Sequence, residues 1–73
     1  MGIVREGEVY VSGDSFGMCL HMASGRMMRY DDVDCTQESV ERLIARLRGE
    51  ELEAEQLPEL VQDHLVREYT VKQ

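Results

Sequence analysis

Cys19, His21, Cys35 and His64 are the side chains of this 73-residue chain best suited to hold a transition metal or to act as nucleophile and base. Four such ligands would complete a tetrahedral zinc site, but structural zinc sites draw them from two closely spaced pairs, and only Cys19 and His21 stand near each other. The same two residues offer a thiol beside an imidazole with no third group to orient the base. They read as a surface cysteine beside a surface histidine. His64 falls on or beside the apolar stripe of a helix, where a histidine packs and hydrogen-bonds at a core edge. Asp31, Asp32 and Asp34 offer oxygen ligands at short spacing, yet a calcium loop needs twelve residues with a central glycine and a closing glutamate. A helix begins here instead, and the three acids are expected to complement the positive end of its dipole. No cofactor loop and no coupled acid and base can be named. The sequence therefore predicts no catalytic residue, no metal and no cofactor, and disfavours an enzyme.

The elements that would carry these residues are legible from hydrophobic period. Val9 and Val11 alternate with Glu8, Tyr10 and Ser12, as in a half-buried strand, and Ser12, Gly13 and Asp14 turn the chain. Phe16, Met18, Leu20 and Met22 then face one way while Gly17, Cys19 and His21 face the other. Ala23, Ser24 and Gly25 form a second turn, and Arg26 to Tyr30 returns as a third strand. Ile3 to Arg5 either extends the sheet edge or frays. After Asp31 the period becomes 3.6: Thr36 caps a helix over about 37–48 with the stripe Val40, Leu43, Ile44 and Leu47. Glu38 is expected to pair with Arg42, Arg46 and Arg48 sit near the negative end of the dipole, and Gly49 fits the stop. The acidic run Glu50 to Glu55 reads as a solvated connection to a second helix over about 54–69, with Leu57, Leu60, Val61, Leu65 and Tyr69 on its stripe. That helix starts either near Ala54 or with Pro58 in its first position.

Strands followed by helices predict an α+β fold, a three-stranded antiparallel β-meander over about 8–31 with two amphipathic helices packed on one face. The span of 73 residues predicts one domain, with a thin stability margin. The other sheet face is left bare, showing Gly17, Cys19 and His21. Met27 and Met28 are adjacent and cannot both turn inward, so one is exposed or covered by another chain.

The net charge of −7 is uneven. Residues 1–30 balance, whereas residues 31–73 carry twelve acids against five bases and hold the whole excess. Such a field repels phosphate backbones, which argues against direct nucleic-acid binding. No apolar run approaches the length of a membrane span, and two cysteines without a leader point to the cytoplasm. The favoured reading is a small acidic regulatory or adaptor module that binds another protein, meeting a basic surface with its acidic helical half or an apolar one with the methionine-rich hairpin. Its interaction surface is drawn from Met27, Met28, Asp31, Asp32, Asp34, Glu50, Glu51 and Glu55. Alternatives are an acidic nucleic-acid-mimicking inhibitor of a nucleic-acid enzyme and a self-assembling structural protein, and the methionine-rich hairpin makes a homodimer a specific expectation.

Phe16, Gly17 and Met18 in a strand, Asp32, Val33 and Asp34 before a capped helix with Val40, Leu43 and Ile44, then Leu57, Leu60, Val61, Asp63 and Leu65, resemble a family of short uncharacterised bacterial proteins. They come mostly from Gram-positive anaerobes, and the resemblance covers roughly residues 8–66. It implies the fold and no activity. Where those relatives place an aromatic before the final leucine of the second helix, this chain has His64. Where they open that helix with a cap and proline, it has Glu53 and Ala54.

Overall fold

The computed structural model describes residues 2–70. Strand β1 spans Gly2–Ser12, β2 Ser15–Met22 and β3 Met27–Asp34; helix α1 spans Gln37–Leu47, β4 is the pair Glu51–Leu52, and α2 spans Leu57–Thr70. A single 3-10 turn, Ala54–Gln56, leads into α2. The strands form one antiparallel sheet in the order β3-β2-β1-β4. The fold is thus α+β with an antiparallel sheet and two helices, and it departs from the expected meander in having a fourth strand.

That departure starts at Ile3 to Arg5, which does not fray but extends the sheet by continuing β1. Gly2 and Ile3 pair with Leu52 and Glu51, so part of the acidic run becomes an edge strand rather than a solvated connection. A bulge makes this possible. Val4 pairs with Met22 and Glu6 with His21, and the extra residue, Arg5, reverses the side-chain alternation so that Val4 turns inward and is buried. β3 also runs past Tyr30. Met18 pairs with Tyr30 but Phe16 with Asp34, so β3 carries two extra residues there, and Asp32 takes the left-handed backbone (φ 55°).

The core fills the face of β2 marked by Met18, Leu20 and Met22. Val4, Val33 and Leu52 join it from the other strands, Val40, Leu43, Ile44 and Leu47 from α1, and Leu57 and Val61 from α2. Gly7 decides how closely α1 approaches. A Cβ there would stand 2.8 Å from the Ile44 side chain and 3.0 Å from that of Leu20, so any larger residue would push these side chains and loosen the packing of α1 on β1.

Both helix ends follow local rules. The Thr36 hydroxyl accepts from the Ser39 amide at 3.3 Å, Arg48 closes α1, and Gly49 turns away at φ 86°. At the second helix Glu53 and Gln56 form a capping box around the 3-10 turn. Pro58 then falls in the first turn of α2, where a missing N–H is tolerated.

Candidate functional site

The junction of α1 and α2 holds a polar cluster inside an otherwise apolar contact. Leu57, Val61 and His64 are the buried residues of α2, spaced four and then three, so His64 lies on the helix's inward stripe and is wholly buried. Its Nδ1 lies 3.2 Å from Arg46 Nη1 and its Nε2 2.9 Å from Ser39 Oγ. A guanidinium only donates, so Nδ1 must accept, and neutral His64 carries its proton on Nε2. Nε2–H therefore donates to Ser39. The Ser39 hydroxyl keeps its own proton and lies near the Asp34 carboxylate, whose Oδ2 is buried without a hydrogen-bond partner. Asp34 Oδ1 accepts from the Cys35 amide and the Tyr69 hydroxyl, each at 2.6 Å.

These neighbours set the charges. Burial holds His64 below its ordinary 6.5, and Arg46 pushes it the same way against the opposing pull of Glu68, Asp34 and Ser39. Burial raises the Asp34 carboxyl, but Ser39, Tyr69 and Cys35 outweigh it and leave the group below the usual carboxylate range. The Asp34 carboxylate, then the Cys35 thiol 3.9 Å away, push the Tyr69 phenol well up. Across the same junction Arg42 forks onto Glu68, at 2.7 and 3.0 Å, in place of the expected pairing with Glu38. In catalytic terms the serine and histidine are wired backwards: the imidazole gives a proton to the hydroxyl and cannot take one from it.

The acids predicted as one surface are separated. Asp31 accepts from the Tyr10 hydroxyl, and Asp32 from Ser15 at 2.5 Å and Ser12 at 3.4 Å, pinning the β1–β2 turn to the bulge. Asp34 is only 8% exposed and leaves the proposed surface, because β3 continues through it into the core edge. None of the three precedes the helix as a free loop. Glu50, Glu51 and Glu55 remain exposed.

The bare face of the sheet is lightly roofed. Gly17 is buried because the Tyr10 ring lies across it, where a Cβ would stand 2.8 Å from the ring and 2.7 Å from the Tyr30 carbonyl oxygen. The Arg29 guanidinium sits 4.7 Å over that ring, Glu8 lies 3.4 Å from His21, and Cys19 Sγ is 3.9 Å from Met27 Sδ. Cys19 and His21 are thus neighbours on one face, apart from Cys35 and His64. Among the described residues no group of three or more His, Cys, Asp or Glu side chains is placed to hold a metal ion.

No family model, curated protein or solved structure matches this chain. The open ground of the molecule is the outer side of β3. Met28 faces the helices and packs against the core, whereas Met27 faces out at 61% exposure. Beside them a groove of about 630 Å³ opens between β3 and the start of α2, with Met28, Leu57 and Pro58 among its apolar lining and Arg26, Arg29 and Glu55 among its charged lining. The reading of Met27 and Met28 as opposite-facing was available in the sequence. The groove was not, since it depends on where the 3-10 turn places Pro58. No helix among the described residues is long and apolar enough to cross a membrane.

Proposed function

We propose that the chain is a small acidic protein-binding module, a regulatory or adaptor domain that docks on a basic segment of another protein. The observation that carries this reading is the open groove beside β3, with Met27 exposed at its rim, in a domain of net charge −7. The junction cluster supports a binding role over an enzymatic one, because both ring nitrogens of buried His64 are already engaged by Ser39 and Arg46. Two free cysteines fit a reducing cytoplasm. Likeness to short proteins of Gram-positive anaerobes belongs to the same proposal.

Tagged protein is used to capture partners from native lysate at low and at high salt, with mass spectrometry of what is bound. One basic partner, lost at high salt, is the expected result. Recovery of the chain alone overturns the adaptor reading in favour of self-association, for which the exposed Met27 on an edge strand is the specific observation.

A further inference from the structure

α2 is joined to the rest of the molecule by little apolar surface. Of the buried apolar side chains among the described residues, Leu57 and Val61 alone come from this helix, and the third inward residue is His64. A titratable group therefore sits where a further aliphatic contact would hold the helix down. Both of its ring nitrogens are engaged, Nε2–H by Ser39 at 2.9 Å and Nδ1 by Arg46 at 3.2 Å. A second proton has only Nδ1 to go to. There it meets a guanidinium, which has no lone pair to offer, so N–H would face N–H between two cations inside a buried junction.

The other charges around the ring give it no acceptor. On α2 itself Asp63 bridges Arg46 and Arg67, at 3.8 and 3.0 Å, and Glu68 is held by the fork of Arg42 from α1. Asp34, at the end of β3, accepts from the Cys35 amide and the Tyr69 hydroxyl. Glu68 and Asp34 draw a proton toward His64 from a distance, while burial and Arg46 oppose it and prevail. The remaining links of α2 hold their charge in mild acid. Arg42 keeps the Glu68 carboxyl below its ordinary range, and Asp34 with Cys35 keeps the Tyr69 phenol above its own.

We infer that His64 is an acid-opened latch: protonation at Nδ1 breaks its bond to Arg46 and frees α2 to swing away at the 3-10 turn Ala54–Gln56, while the sheet stays folded. The pairing of β4 with β1 keeps the helix tethered. Leu57 and Pro58 belong to the wall of the groove beside β3, so opening also dismantles that groove and bares the apolar stripes of both helices. The direction in pH follows from linkage. Closed, the ring holds its second proton less tightly than it ordinarily would; open, in water, it takes that proton at about its ordinary 6.5. Opening is thus favoured as pH falls below 6.5 and is insensitive to pH above it.

Native-state hydrogen exchange of the full chain, resolved by NMR between about pH 7 and pH 5 where histidines titrate, reads the opening directly. Protection factors of the α2 amides should lie below those of β1 and β2 at every pH, because the helix opens without the sheet. Below 6.5 they should fall by up to about tenfold per pH unit, the limit for one proton. Arg46 is 42% exposed, so it can be varied without disturbing the core. In Arg46→Gln the carboxamide can turn its oxygen to the charged ring and the fall should shrink, whereas in Arg46→Lys, which only donates, it should persist. His21→Gln removes the other histidine, on the far sheet face, and should change nothing.

Protection in α2 that ignores pH overturns the latch, and so does an equal fall in Arg46→Gln and Arg46→Lys. One common protection factor for α2 and the strands assigns the exchange to unfolding of the whole chain and overturns local release. Exchange needs no partner, so the latch and the adaptor reading fail separately.

Discussion

The α1–α2 junction and the outer edge of β3 both gather polar groups, and they treat them in opposite ways. At the junction hydrogen bonds link Arg46, His64 and Ser39, and beside them Tyr69 donates to Asp34. At the edge the backbone of Met27 and Arg29 faces outward with no strand beside it. A small domain has little apolar core to hold its helices, so directional bonds at the junction help to orient them. The residues that look chemical here hold the two helices together, whereas the outward groups of β3 are plain backbone.

The junction half of that contrast breaks most directly at His64. His64→Ala leaves a cavity at a wholly buried site and removes the donor to Ser39; a loss of about 3 kcal/mol in urea unfolding is expected. Asp34→Asn keeps the shape but replaces an ionised acceptor of the Cys35 amide and Tyr69 hydroxyl by a neutral one, and should cost about 1–2 kcal/mol. Because Ser39 bonds His64 and lies near Asp34, the double variant should lose less than the sum of the single losses. Strict additivity would mean that the two sites are not coupled.

Much of this architecture was legible in the sequence. The alternation in β2, the Thr36 cap and the stripe of α1 predicted their elements closely, because each is a local pattern that tertiary packing then reinforces. What escaped was non-local. Val4 belongs to the core only because a bulge at Arg5 reverses the alternation, and β4 exists only because β1 reaches Glu51 and Leu52. Asp34 looked like a helix-leading surface acid until β3 proved to continue through it. His64 was legible as a packed, hydrogen-bonded residue from its spacing of seven from Leu57 and three from Val61, whereas Ser39 and Arg46 as its partners required the helix crossing.

Acid should separate junction from edge by a smaller effect. Buried His64 holds its proton less tightly than the unfolded chain does, so the stability it lends is whole above its ordinary 6.5 and is lost as pH falls below that value. Asp34, shifted down, keeps its contribution until pH falls below its ordinary 3.8. Thermal unfolding between pH 7 and 5 should therefore show a falling midpoint, and His64→Gln should flatten the slope in that window. An unchanged slope in His64→Gln would move the titrating group elsewhere.

The smallest effects belong to the edge and are informative for that reason. Met27 and Met28 are neighbours of the same type, on opposite faces of one strand. Met28→Thr withdraws apolar volume from the core face and should cost about 1–2 kcal/mol, since Met28 packs against the buried cluster. Met27→Thr puts a strand-favouring residue at an exposed site and should change stability by less than about 0.5 kcal/mol. Equal losses at the two positions would mean that Met27 is covered in solution, and the cover would have to come from another copy of the chain. A neutral Met27→Thr whose partner binding is nonetheless weakened leaves only one account of that methionine: it is kept for contact with another molecule, not for folding.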